Sequence, residues 1–215
     1  PEDASLLAAF VARERSIDAP LVRLGILRTR GLVPANLGAA AIAGSYFSFQ
    51  FVTTLYLQNT LGWTSMETAL AFLPGGLIVA FVAPNMGPVI GRVGAHRLLA
   101  VGLLAFPAGY ALFLRADAGF AYATVLLPTM LLLGTGFALG FSSANVAATS
   151  GVADDEQGLA SGLVNTSFQI GGAVVLAAVT AIVASGSGAV PSTDVLPDGS
   201  LEAVMFVTGV AALGA

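Results

Sequence analysis

The segment GPVIGRVGAHRLL, residues 87–99, gathers Arg92, Arg97 and the only histidine of the chain, His96, between two long apolar runs. Such a cluster fits either an active site or a turn at a membrane surface. The first reading finds no support elsewhere in the chain. There is no cysteine, so disulfides and thiol chemistry are excluded. A lone histidine cannot make a zinc site without several carboxylate partners. The chain has no Gly-x-Ser-x-Gly, no Gly-x-x-x-x-Gly-Lys-Ser/Thr and no metal-spaced His/Cys set. Nothing here supports an enzyme, and no cofactor or nucleotide is called for. His96 reads as a solvated interfacial residue, with pH sensing as its alternative role.

A second group of residues could bind rather than react. Tyr46, Gln50 and Thr53 fall at i, i+4 and i+7, which places them on one face of a helix. Ser142, Asn145 and Thr149 repeat the spacing, and Ser161, Asn165 and Gln169 follow at i, i+4 and i+8. Side chains of this kind either line a wet cavity or hydrogen-bond between helices, at about 0.6 kcal/mol each. Their grouping on three segments favours the cavity. The best candidates for lining it are Tyr46, Gln50, Thr53, Asn145, Asn165 and Gln169. The run LLAVGLLAFPAGYALFL has almost no polar side chain apart from Tyr110 and reads as a peripheral, lipid-facing helix.

The elements that must carry these residues follow from composition. The chain is 56% hydrophobic and 9% charged, whereas ordinary soluble domains carry about 25% charged residues. Charge this sparse could not cover a water-soluble surface, so the chain is an all-α polytopic membrane protein. Helices are required because open strand edges cannot face lipid. A span needs about 20 mostly apolar residues. Five stretches qualify, at about 35–58, 68–90, 98–115, 120–150 and 159–184, and a sixth, truncated one covers 202–215. The fourth is over-long and extends beyond the bilayer. Residues 5–12, SLLAAFVA, look like the tail of an earlier helix. The chain thus divides into 1–34, a helix end plus an amphipathic linker, and 35–215, a transmembrane bundle. It reads as a piece of a longer protein.

All eight basic residues are arginine, and they set the orientation. Arg13, Arg15, Arg23, Arg28 and Arg30 precede the first full span, and Arg92 and Arg97 lie between the second and third; only Arg115 falls on the other side. Cytoplasmic loops carry the arginine excess. Residues 13–33 and 91–97 therefore belong inside, and the turn at 59–66 and the loop at 185–200 outside. The acidic VADDEQ at 152–157 also falls inside, but acids weigh little in this rule. PLVRLGILRTR at 20–30 suits an amphipathic helix on the inner surface. No basic stripe suggests nucleic acid. No Asp, Glu, Lys or Arg lies mid-span; Glu67, the nearest, opens the second. A buried acid is the usual proton carrier of a pump, so this segment offers no proton site of its own.

Pro74, Gly75 and Gly76 lie together in FLPGG and form a candidate helix hinge. Pro107 and Pro128 are further kink candidates. Gly136/Gly140 and Gly158/Gly162 have the small-xxx-small spacing of close helix pairs.

The motif at 87–99 resembles the loop motif of the major facilitator superfamily, roughly Gly-x-x-x-Asp-Arg-x-Gly-x-Arg/Lys-x-x-Leu. Gly87, Arg92, Gly94 and Arg97 match, while Gly91 stands where the acid usually is. GLASGLVNTSFQIGGA at 158–173 is similar to the late helix of the fourteen-helix drug:proton antiporter branch. PLVRLGILRTRGLVPANL followed by LYLQNTLGWTSMETALAFLPGG resembles that branch as well. The resemblance implies the end of helix eight, helices nine to thirteen and the start of fourteen: the C-terminal six-helix bundle of the major facilitator fold. It implies multi-pass insertion in the inner (plasma) membrane, and partnership with an N-terminal six-helix bundle that carries the main proton-coupling acids. The function it implies is rocker-switch export of small organic substrates against protons. Two departures stand out. The loss of the acid at Gly91 points to a structural hinge rather than a charge-controlled gate. Phe168 replaces the basic or polar residue common before Gln169. The rival readings are an exporter of one endogenous metabolite or antibiotic, and a non-transporting scaffold or half-protein.

Overall fold

The computed structural model describes residues 31–114 and 121–186, together with Ile26, Thr29, Met205, Phe206 and Gly209. Among the described residues every regular element is helical. Helix α1 (Leu32–Leu55) continues into a π turn at Tyr56–Thr60; α2 (Ser65–Val82) passes through a 3-10 turn at Ala83–Asn85 into α3 (Met86–Val93). Helix α4 spans Ala95–Phe113, α5 follows a π turn at Tyr122–Leu126 and spans Leu127–Thr149, and α6 spans Gln157–Gly186. Five continuous segments are long and apolar enough to cross a membrane: Leu32–Thr60, Ser65–Val93, Ala95–Phe113, Tyr122–Thr149 and Asp154–Ala184. All but α4 run to 28 residues or more, about 42 Å at 1.5 Å per residue, so the fourth segment is not unusually long. The expected helix tail at 5–12, all but Ile26 and Thr29 of the amphipathic stretch at 20–30, most of the loop at 185–200 and most of the truncated span at 202–215 lie outside the described residues.

Why the helices begin and end where they do is visible locally. At the start of α2, Thr64 caps the helix: its Oγ1 accepts from the Glu67 N–H at 3.3 Å, and Glu67 accepts from the Thr64 N–H at 2.8 Å. This capping box satisfies orphan N–H groups that apolar periodicity does not reveal. Gly94, with φ 97°, breaks α3 from α4 in a backbone conformation that a side chain would strain. Gly91 lies inside α3 with open space beside it, so the backbone reversal falls at Gly94 and not at Gly91.

The prolines occupy different positions in the helices. Helix α2 runs unbroken through Pro74, and α4 through Pro107. The ladder of the second span is interrupted instead at Pro84, inside the 3-10 turn Ala83–Asn85. Pro128 follows directly on the π turn Tyr122–Leu126 inside the continuous segment Tyr122–Thr149, where the helical ladder changes from π to α.

Helix α5 is the hub. It packs on α4, α2 and α1, and more lightly on α6, while α1 pairs extensively with α6. Helices α1, α4 and α6 run one way and α2 and α5 the other. The crossings are made by small residues. A Cβ on Gly102 of α4 would lie 2.5 Å from the Gly140 nitrogen and 2.7 Å from the Gly136 oxygen. A Cβ on Gly134 would lie 2.5 Å from the carbonyl oxygen of Gly75. Gly171 of α6 lies equally close to the Ala40 backbone of α1. Gly75 is thus a contact point between α2 and α5, and Gly76 beside it faces open space. Gly158 and Gly162 meet nothing among the described residues. In lipid there is no hydrophobic drive between helices, so backbone approach of this kind supplies the packing.

The core between these helices is aromatic. Phe49 stacks on Tyr110 at 4.5 Å, and Phe113 meets Phe49 and Tyr56 edge-on at 5.1 and 6.1 Å. Tyr110, expected on a lipid-facing helix, is fully buried. The opposite side of α4, with Val101 and Leu104, is exposed, so α4 is an edge helix with one packed face.

Gly102→Ala should lower the thermal midpoint of the full-length protein in detergent, by the equivalent of about 1–3 kcal/mol for overpacking. Gly76→Ala should leave the midpoint unchanged or slightly raised, because it has room for a methyl group and favours helix. Equal effects at the two positions would contradict the crossing described.

Candidate functional site

Tyr46, Phe47, Phe137, Phe141 and Phe168 form a connected aromatic wall where α1, α5 and α6 meet. Tyr46 lies 5.1 Å from Phe137; Phe168 lies 5.5 Å from Phe47, 5.9 Å from Phe137 and 4.8 Å from Phe141; Phe137 stacks on Phe141 at 5.5 Å. Several of these pairs are tilted or edge-on, which suits the positive edge and negative face of each ring. Phe168 is buried, whereas Phe47 is 36% exposed and Tyr46, Phe137 and Phe141 are half-buried. Phe168 therefore anchors the wall, and the other rings offer their free surface.

The depth of the wall is set by helix length. Tyr46 lies 14 residues from each end of Leu32–Thr60. Phe137 lies 15 residues from Tyr122 and 12 from Thr149, and Phe168 lies 14 from Asp154 and 16 from Ala184. All three rings thus sit near the middle of their helical segments. Transporter substrate sites lie at this depth.

The expected polar residues take up different places around this wall. Gln50, one turn along α1 from Tyr46, is half-buried. Asn145, one turn along α5 from Phe141, is half-buried, and its amide donates to the Phe141 carbonyl at 3.0 Å. Asn165 and Gln169 are exposed on α6, flanking Phe168. Thr53 does not share this setting. It is fully buried within the bundle, and its hydroxyl has no hydrogen-bond partner. Thr53 keeps nearly the same angular position as Tyr46, two turns further along α1, but at that level of the bundle the neighbouring helices cover it completely. Ser48 and Ser143 are also buried with unpartnered hydroxyls.

Phe47, Phe137 and Phe141 are absent from a reading that searches for polar side chains. The signal for them is Phe137 and Phe141 at i, i+4, on the same segment as Asn145. A second unforeseen contact joins α1 to α6: the Ser167 hydroxyl donates to Asn36 Oδ1 at 2.7 Å, and the Asn36 amide donates to the Leu32 carbonyl at 2.7 Å.

The loop residues are separate from the wall. Gly87, Gly91, Arg92, Gly94 and Arg97 are all exposed at one end of the bundle. Arg92 lies in the last turn of α3, where a cation suits the helix dipole. Pro74, Gly75 and Gly76 lie on α2, whose packed side meets α5.

The outer faces of α2 and α6 are largely uncovered. Met66, Leu70, Leu73, Leu77 and Phe81 form one exposed apolar stripe on α2, and Ile170 and Val174 are exposed on α6. The molecule is therefore a multi-pass membrane protein: a helical bundle with an aromatic wall at mid-depth and apolar faces that suit lipid or further helices. The profile of the Major Facilitator Superfamily matches residues 4–176. The chain belongs to that superfamily of membrane transporters.

Named relatives sharpen the comparison. The chain is 34% identical over 229 residues to the puromycin resistance protein pur8 of Streptomyces alboniger, covering 98% of this chain and 44% of that protein. It is 30% identical over 189 residues to the cephamycin export protein CmcT of Amycolatopsis lactamdurans, covering 87% and 39% respectively. It is 27% identical over 178 residues to the multidrug resistance protein Stp of Mycobacterium tuberculosis, covering 83% and 33%. The chain thus spans less than half the length of these relatives.

Thr53→Val should keep or raise the thermal midpoint, because it removes an unpartnered buried hydroxyl at nearly constant volume. Phe168→Ala should lower the midpoint by the equivalent of about 3–5 kcal/mol, since it removes a buried large side chain. A loss of stability in Thr53→Val would show that its hydroxyl is bonded after all.

Proposed function

We propose that this chain is the C-terminal six-helix bundle of a fourteen-helix drug:proton antiporter in the plasma membrane, exporting small organic compounds by alternating access. Residues 35–215 make up the bundle, and 1–34 supply the end of a preceding span and an inner-surface linker. Residues 13–33 and 91–97 face the cytoplasm, and 185–200 lie outside. The mid-depth aromatic wall carries this reading. Rings with free faces bind varied organic molecules through area rather than fixed hydrogen bonds. Gln50, Asn145, Asn165 and Gln169 add polar contacts around it, and Tyr46 supplies both a ring and a hydroxyl. The resistance and export names of the relatives support the same direction.

Proton coupling belongs to the partner N-terminal bundle, because none of the five spans carries a mid-span acid. The exposed sides of α2 and α6 are the faces that the partner bundle would meet. Pro74, Gly75 and Gly76 would then let α2 adjust on one side while its glycine contact with α5 holds. A second reading, export of a single antibiotic, draws on relatives named for one compound each, puromycin and cephamycin.

Inside-out vesicles carrying the full-length protein should accumulate a lipophilic cationic dye when their lumen is acidified. No gradient-dependent movement of any compound in a broad panel would overturn the transport reading; movement of only one compound would favour the second. Gln50→Ala and Gln169→Ala should change the order of preferred substrates at unchanged expression, and Phe137→Ala should slow aromatic substrates most. Gly91→Asp should leave the transport rate within about twofold, since position 91 is solvent-exposed and one exposed charge contributes little. A large change would show that a charge at this loop controls the gate.

A further inference from the structure

A cavity of about 340 Å³ opens at the end of the bundle opposite Arg92 and Arg97, lined by Trp63, Glu67, Leu70, Ala71 and Tyr122. It lies between the first turns of α2 and the π turn that leads into α5. Tyr122 is fifteen residues from Phe137, about 22 Å along a helix, so the cavity is distinct from the mid-depth wall.

Three features of the lining point the same way. Trp63 and Tyr122 stand side by side, ring centres 6.4 Å apart at 44°. The Tyr122 hydroxyl donates to the Ala71 carbonyl at 3.3 Å, which ties that ring to α2. The Glu67 carboxylate is held in place: Oε2 accepts from the Thr64 N–H at 2.8 Å and from Thr64 Oγ1 at 2.9 Å. Its second oxygen, Oε1, has no hydrogen-bond partner among the described residues. The lining residues carry one negative charge and no positive one. Leu70 and Ala71 make the rest apolar.

We propose that this cavity binds a small amphipathic organic cation, a tertiary or quaternary amine with an apolar body. The carboxylate and two ring faces attract the charged head, while Leu70 and Ala71 take the hydrocarbon part. A metal ion is disfavoured, because one carboxylate supplies too few ligands for a hard cation. The volume lies near the lower end of the roughly 300–1,000 Å³ found for small-molecule sites, so the ligand is compact. The site is a recognition point at the mouth of the bundle and takes no part in proton movement.

The test is a ligand-observed NMR titration of the full-length protein in detergent, with benzyltrimethylammonium as probe and benzyl alcohol as its neutral counterpart. Glu67→Gln preserves the capping box, since glutamine serves at the same position, and removes only the charge. The expected result is binding of the ammonium probe that weakens about fivefold in Glu67→Gln, as loss of one exposed ionic contact implies. Benzyl alcohol should be indifferent to that change. Tyr122→Leu should weaken the ammonium probe, and Tyr122→Phe, which keeps the ring, should not. An affinity for benzyltrimethylammonium equal in wild type and Glu67→Gln would overturn the proposal, as would binding no greater than that of protein-free micelles. The measurement needs no gradient, so it reads the cavity even if the transport reading fails.

Discussion

Backbone-to-backbone contact at glycine is the constraint on which the bundle rests. Lipid tails are as apolar as leucine, so burying apolar surface gives these helices little reason to associate. What remains is dispersion between closely apposed atoms, which grows steeply as helices approach. Gly102 against Gly136 and Gly140 sets α4 on α5; Gly75 against Gly134 sets α2 on α5; Gly171 against Ala40 sets α6 on α1. Each contact lies where a methyl group would meet main-chain atoms, which cannot swing aside. The large aromatic residues then fill the space that these crossings leave, as Phe49, Tyr110 and Phe113 do.

Much of this was legible in the sequence. Sparse charge and long apolar runs imposed helical spans, because unpaired backbone groups are not tolerated in hydrocarbon. The Gly136/Gly140 spacing announced a close pair, and three blocks of residues resembled the superfamily to which the chain belongs. Helix ends were less legible. The capping box at Thr64 and Glu67 extends α2 into a polar stretch that hydropathy alone assigns to a turn. The effect of proline depends on position, which the sequence does not give: Pro84 lies in a 3-10 turn and Pro128 just after a π turn, whereas α2 continues through Pro74.

The candidate site was half legible. Helical spacing grouped Tyr46, Gln50 and Thr53 on one face, but spacing says nothing of what covers that face at each level, and two turns on from Tyr46 the packing buries Thr53. Phe137 and Phe141 share a face by their i, i+4 spacing, but only their contacts with Phe168 on another helix show what that face meets. The same limit hid Asn36 and Ser167, which are 131 residues apart in the chain and 2.7 Å apart in space.

The wall lies along a mechanical boundary. Helices α1 and α6 form one tightly packed pair and α4 and α5 another; α5 also packs on α1, and far more lightly on α6. Each pair is stiff, because its crossing has no side chain to yield. The α5–α6 side of the seam between the pairs is the light one, and there Phe168 on one side faces Phe137 and Phe141 on the other. A small slide of one pair past the other would re-angle these rings before it disturbed either glycine crossing. A guest lodged among them would work as a wedge, converting its own shape into a spacing between α5 and α6.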